Sequence, residues 1–208
     1  VIEHTVNLMY RGQSGAINES IADVFAAMVD RDDWTMAELI VNLSDYPSGA
    51  MRDLSSPHNG GTSQAFYWQP AHMSEFVQLP DNSDNGGVHI NSGIPNHAYY
   101  LLAQDIGKEK AEKIYYRILD ARYLVSRATF EDLRRAAEQA ARDLFGTSSS
   151  EVRSVSAAFA AVGIGAGPGY EFPDPREPIE GDDWILVVND SADGDASLYL
   201  VADQLDSA

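Results

Sequence analysis

Gly15-Ala16-Ile17-Asn18-Glu19-Ser20-Ile21-Ala22-Asp23 and Asp84-Asn85-Gly86-Gly87-Val88-His89-Ile90-Asn91-Ser92-Gly93 are the two stretches on which the reading of this 208-residue chain turns. Around the first, Ile17, Ile21, Val24, Phe25 and Met28 recur at helical spacing and form one apolar stripe. This predicts a helix over residues 15–30, with Ser14 as its candidate N-cap. Glu19 and Asp23 lie four apart and share the face opposite that stripe. The pair reads in two ways. It is a solvated acidic face, or it is a carboxylate ligand followed one turn later by a carboxylate that orients another ligand of the same metal. In the second stretch His89 follows two glycines, and Asp84 is placed to fold back across them. Unpaired, His89 is an ordinary surface or core residue. Paired with Asp84 it stays available as imidazolium near neutral pH, and such a donor suits a developing oxyanion.

Working outward, the chain after Asn91 reads as a series of helices. One starts near Ser92, carries Pro95 in its first turn and runs to Ile106 before Gly107. A second covers Lys108–Val125 with Ala111, Ile114, Tyr115 and Ile118 inward. A third has Thr129 as N-cap, Phe130, Leu133, Ala137, Ala140 and Leu144 on its apolar side, and Gly146 just past its end. Ser148 and Glu151 have capping-box spacing for a fourth, which ends near Gly163. Residues 31–90 are instead rich in Pro, Gly, Asn, Ser and Asp, with Tyr46, Phe66, Tyr67, Trp68 and Phe76 scattered among them. A long irregular segment in a compact domain is usually functional or ion-bound. Gly163 through Pro178 reads as a Gly/Pro-rich linker. Beyond it, Trp184-Ile185-Leu186-Val187-Val188 and Leu198-Tyr199-Leu200-Val201 read as two strands flanking a turn at Asp193-Gly194. The expected fold is mainly α: an orthogonally packed helical bundle over residues 1–164, then an acidic linker and β-hairpin tail over residues 165–208.

Composition narrows the function classes. Hydrophobic residues make up 44% and charged residues 22%, so a packed core is feasible. No apolar run is long enough to cross a bilayer, and no membrane partner is expected. The net charge of −18 repels phosphate backbones and argues against a nucleic-acid partner, while favouring divalent cations. The acidity is concentrated: residues 165–208 carry Arg176 alone against 11 acids. Without cysteine there is no disulfide framework, thiolate nucleophile or Cys-type zinc site. Val1 opens directly into ordinary sequence with no signal-peptide pattern, and the missing initiator Met suggests a processed or excised piece, although tag removal would look the same.

The two motifs, with Val1-Ile2-Glu3-His4-Thr5-Val6-Asn7-Leu8-Met9-Tyr10 and Gln13-Ser14 ahead of the first, resemble the later half of thermolysin-like zinc metalloendopeptidases. The resemblance runs through the helical series to Ala161-Val162-Gly163 and covers about residues 1–164. It implies a secreted peptidase acting on peptide or protein substrates. By position, it implies that Glu19 is the third protein ligand of zinc and that Asp23 is the carboxylate orienting a zinc-bound histidine. His89 and Tyr10 would stabilise the tetrahedral oxyanion, and Asp84 would pair with His89. Arg52 would hold a substrate carbonyl, and Met36, Ile40 and Met51 would line an apolar pocket that favours cleavage before a bulky hydrophobic residue. Apart from the resemblance, Tyr10 reads as a packed aromatic, Arg52 as a surface charge, and the three apolar residues as core. Asp30, Asp33 and Glu38 match part of a calcium site. Thr35 stands where a carboxylate is expected and the loop is short, so the segment holds one calcium, or none and is a solvated acidic loop. Asp190, Asp193 and Asp195 also have a calcium-like spacing.

The family's His-Glu-x-x-His helix, which carries two zinc ligands and the general base, has no counterpart in this sequence. His4 is too close to Glu19 for the role, and His58, His72 and His97 lack a glutamate at the required spacing. The expectation is a C-terminal peptidase domain that needs the missing N-terminal half as partner and is inactive alone. The alternatives are a degenerate relative serving as a binding module and a helical domain with purely structural work.

Overall fold

A computed structural model describes residues 1–60 and 68–165 in full, together with the backbone of the strands at 184–190 and 196–202. Helix α1, Gly12–Val29, is the element on which the rest is built. Its N-cap is Arg11, not Ser14. Ser14 lies inside the first turn and donates from Oγ to the carbonyls of Met9 and Arg11, at 2.7 and 2.9 Å, so it ties the incoming chain to the helix. Ala16, Ile17, Ile21 and Val24 are buried, and so is Asp23 on the other side. The Glu19–Asp23 side is therefore not a solvated face: α1 is covered on both sides.

After α1 the chain runs through the irregular segment. Two short strands, β1 (Thr35–Met36) and β2 (Arg52–Asp53), pair antiparallel with Met36 opposite Arg52. Three-residue 3-10 turns sit at Pro57–Asn59 and Met73–Glu75. Phe66 and Tyr67, two of the aromatics noted above, lie outside the described residues.

The helical series follows: α2 (Asp84–Asn91), α3 (Gly93–Ile106), α4 (Lys108–Asp120), α5 (Phe130–Phe145) and α6 (Ser150–Ala161). Three predicted ends hold. Gly107 and Gly146 close α3 and α5 with φ of 87° and 94°, a region open to glycine and costly for residues bearing Cβ. Thr129 caps α5, and with Asp132 forms a reciprocal box. Two others need correction. Helix α4 stops at Asp120 rather than Val125, because Arg122 turns left-handed (φ 53°) and lets Tyr123 N bond back to Ile118 O at 3.0 Å. The cap of α6 is Ser149, whose side chain accepts from Val152 N; the Ser148–Glu151 box does not form.

The core joins α1, α3, α4, α5 and α6, with Tyr99, Tyr115, Phe130, Phe159, Leu102 and Ile118 all but fully buried. Each such side chain contributes about 1.5–3 kcal/mol of transfer free energy, and this burial sets the position of α1 and α3 that the site depends on. The chain divides into two compact units, Val1–Pro168 and Gly169–Ala208. In the second, β3 (Trp184–Asp190) and β4 (Ala196–Ala202) pair antiparallel with Trp184 opposite Ala202. The Asp193-Gly194 turn, Asp195 and most of the predicted linker lie outside the described residues. No described helix is long and apolar enough to cross a membrane.

Candidate functional site

Three separate stretches converge on one carboxylate of α1, that of Glu19. The Tyr10 hydroxyl, just ahead of α1, donates to Glu19 Oε1 at 2.5 Å. His89 Nε2 lies 3.4 Å from Glu19 Oε2 and 3.1 Å from the Tyr10 oxygen. Arg52, delivered by β2, places Nη2 3.6 Å from Glu19 Oε2. The Arg52 guanidinium also donates from Nη1 to Asp23 Oδ1 at 3.1 Å, bridging two carboxylates one helical turn apart. Glu19 keeps 18% side-chain exposure and Asp23 only 6%, so Glu19 is the one open to an incoming group.

The local backbone explains how His89 gets there. Asp84, Asn85, Gly86 and Gly87 all have positive φ, from 47° to 90°, before α2 becomes right-handed at Val88. That left-handed turn brings the Asp84 carboxylate onto the start of the right-handed helix. Oδ2 accepts from His89 N and Ile90 N at 3.0 and 3.3 Å, and Oδ1 meets His89 Nδ1 at 2.5 Å. With Nδ1 engaged, Nε2 is the imidazole nitrogen presented to Tyr10 and Glu19. Asn and Asp tolerate left-handed φ better than other side chains, and glycine has no Cβ to clash. The Asp-Asn-Gly-Gly order therefore builds the elbow.

Electrostatics follow from burial and from this crowding of charge. Burial, the hydrogen bond to Glu19 and the negative charges of Glu19 and Asp84 together hold the Tyr10 phenol well above its ordinary range, so it stays a proton donor. Burial also pushes the Asp23 carboxyl up, opposed by the Arg52 charge and a hydrogen bond from Asn96.

Asn96 is one of three supporting residues to which sequence reasoning assigned no role. From α3 it donates through Nδ2 to Asp23 Oδ2 at 2.8 Å, and it is 1% exposed. Gln69, also buried, donates to His89 O at 2.7 Å and to Ser92 Oγ at 3.1 Å. Arg11 forms an ion pair with Asp81, tying the start of α1 to the approach of α2. Asn96 lies three residues past the second motif, on the helix that follows it. Gln69 and Arg11 reach partners 20 and 70 residues away, and nothing local marks them.

The apolar trio separates. Met36 is half-buried against the core, and the Met51 amide donates to Met36 O at 2.9 Å, so both flank Arg52. Ile40 is 81% exposed, next to Leu39 at 99%. It does not join Met36 in a buried lining, because the turn after Ala37 (φ 71°) carries it out to solvent. Asp30, Asp33 and Glu38 do not converge either. Asp30 Oδ1 accepts from Asp32 N, Asp33 Oδ1 accepts from Thr35 N and Oγ, and Glu38 is exposed. Of the other histidines, His58 pairs with Glu75 and stacks on Trp68, and His97 faces Leu54 O.

A zinc ion needs three protein donors in a catalytic site. Among the described residues no group of three His, Cys, Asp or Glu side chains converges to hold a metal. Glu19 is one suitable oxygen donor with an ordered carboxylate behind it, and the set is incomplete among the described residues.

Residues 6–164 match the thermolysin metallopeptidase alpha-helical domain. The chain is 44% identical over 164 residues to an extracellular elastase of Staphylococcus epidermidis and 43% identical over 174 residues to a bacillolysin of Brevibacillus brevis. Each match covers 79% of this chain but only 30% and 31% of the relative, so the chain spans about a third of the length of these curated relatives. Among solved structures, the precursor of protealysin, a metalloproteinase from Serratia proteamaculans, aligns with a TM-score of 0.69 and 33% identity. That alignment covers 79% of this chain and 54% of the other. The helical order, the two-motif site and these likenesses agree: the chain belongs to the thermolysin metallopeptidase family, as its alpha-helical domain.

Proposed function

We propose that this chain carries the substrate-side half of a secreted zinc metalloendopeptidase site, with residues 1–164 as the peptidase domain and residues 165–208 as an acidic appendage. The observation that carries the reading is the meeting of Tyr10, His89 and Arg52 at Glu19, with Asp23 fixed behind. Three donors from three distant segments held around one partly exposed carboxylate are costly to assemble without a use. The two remaining zinc ligands and the general base come from a segment outside these 208 residues.

In the complete protein, zinc supplies Lewis acidity and an activated water at neutral pH. The residues of this chain have their own work. Glu19 offers an oxygen ligand. Asp23, held by Asn96 and Arg52, orients a neighbouring ligand. His89, fixed by Asp84 at Nδ1, and Tyr10, kept protonated, donate hydrogen bonds where negative charge develops on the scissile carbonyl. Arg52 anchors a substrate carbonyl. Met36 and Met51, which flank Arg52, favour a bulky hydrophobic residue after the cleaved bond; Ile40, turned out to solvent, takes no part. The extracellular naming of the staphylococcal relative supports secretion.

This reading makes the isolated chain inactive. Zinc-dependent cleavage of a casein-type substrate by the pure chain would contradict that. In the parent protein, Tyr10→Phe and His89→Ala should each lower kcat by roughly 10²–10³ with little change in KM. A parent gene without His-Glu-x-x-His about 20 residues before Glu19 would favour a non-catalytic binding module instead.

A further inference from the structure

The turn that joins α1 to β1 is held by an ammonium group from a distant helix. Lys108, the first residue of α4, donates from Nζ to the carbonyl of Arg31 at 2.8 Å and to that of Asp33 at 3.0 Å. The same nitrogen lies 4.0 Å from the centroid of the Trp34 ring. An ammonium has three donors and no acceptor. Two are used on the turn's carbonyl oxygens, and the charge rests on an indole face, the best of the aromatic cation partners. Trp34 in turn packs edge-on against Tyr99 and Tyr100 of α3, and Arg31 reaches Glu112 of α4 at 2.5 Å. The turn is thus fastened to two helices around one half-buried lysine.

The acidic groups of the same turn are arranged around a different task. Asp33 Oδ1 is committed to Thr35 N and Oγ, at 2.8 and 2.9 Å, closing its own turn. Asp30 Oδ1 is turned back to Asp32 N. A calcium ion collects six to eight oxygens at about 2.3–2.6 Å. Here the carbonyl oxygens of Arg31 and Asp33 are already taken by a positive group, and a divalent ion beside it would be repelled. The residues present do not fit a calcium ion.

We propose that Lys108 is the resident cation of the segment Asp30–Glu38, supplying from within the chain the charge and the oxygen-directed bonds that a bound calcium ion would otherwise supply. The segment's stability then depends on Lys108 and not on calcium. Because the turn leads directly into β1, whose Met36 pairs with Arg52, the clamp also secures the strand that brings Arg52 to Glu19.

The test uses the 208-residue chain, its Lys108→Met and Lys108→Arg variants, thermal melting, and limited proteolysis read at residues 30–45. The unaltered chain should melt at the same temperature, and be cut at the same rate, in millimolar calcium and in EDTA. Lys108→Met should lower the midpoint by roughly 2–6 °C and speed cleavage in that segment several-fold. Lys108→Arg, which keeps a cation, should recover part of the loss. A clear rise of the unaltered chain's midpoint with calcium overturns the proposal, and this comparison stands even if Lys108→Met does not fold. A Lys108→Met protein that melts and is cut like the unaltered chain overturns it as well.

Discussion

Asn96 donates from Nδ2 to Asp23 Oδ2 at 2.8 Å, a bond between two buried side chains that reaches from α3 to α1. It gives Asp23 a second donor beside Arg52 and fixes the plane of its carboxylate. Among the described residues Asn96 Oδ1 has no partner, so the amide is kept for what its nitrogen does.

Asn96→Leu should therefore cost about 1–3 kcal/mol, since it leaves a buried carboxyl with one fewer donor. Urea denaturation measures the loss. Combining it with Asp23→Asn should give less than the sum of the two single losses, because the residues act on one bond. Strict additivity would show that the bond is energetically idle.

A pH effect should come from Glu151. The hydrogen bond from Lys110, joined by backbone and Ser150 donors, holds its carboxyl down at about 2. Because the folded value lies below the unfolded one, near 4.3, the contribution is fully present above the unfolded value. It is lost as pH falls from there through about 2. The urea midpoint of the unaltered protein should therefore drop more between neutral pH and pH ~3 than that of Glu151→Gln. Equal drops would show that this pair does not set the acid limb.

Gly15→Ala tests whether packing overrides propensity. In an ordinary helix interior this change gains roughly 0.5–1 kcal/mol. Here a Cβ would run into Cγ1 of Val88 and sit 3.0 Å from the carbonyl carbon of Tyr10, where α1 and α2 touch. We expect destabilisation of about 1–3 kcal/mol instead, seen as a lower denaturation midpoint, with the Tyr10–His89 geometry disturbed first.

The cap of α6 separates two neighbouring serines. Ser149→Ala should cost about 1 kcal/mol, because Ser149 Oγ accepts from Val152 N at 3.3 Å. Ser148→Ala should fall within about 0.5 kcal/mol of no effect. Thermal melts of the two variants check the order, and a larger loss at position 148 would restore the alternative cap.

Much of the fold was legible locally. Periodic apolar positions located α1, α4 and α5, Pro95 and a serine cap signal located α3 and α6, and Gly107, Thr129 and Gly146 marked ends, because each signal acts within a few residues; α2, by contrast, lies almost wholly in the stretch read as irregular. The misplaced ends are of another kind. Arg122 ends α4 in a left-handed conformation that arginine does not advertise, and Ser149 competes with Ser148 for the same cap one residue away. The site shows the same split: Glu19, Asp23, Asp84 and His89 lie in recognisable strings, while Gln69 and Arg11 serve it from unmarked positions.

The sequence by itself determined the helical class, the fold-back of Asp84 across two glycines onto His89 and the family to which the two motifs point, because each depends on short-range sterics or on a compact string. Only the tertiary structure decided that Tyr10, Arg52 and His89 meet at Glu19, that Asp23 is buried against Asn96, and that Lys108 fills the turn after α1. Those contacts join residues 9 to 79 positions apart, and their partners are set by how the core packs α1 against α3 and α4, which no local pattern encodes.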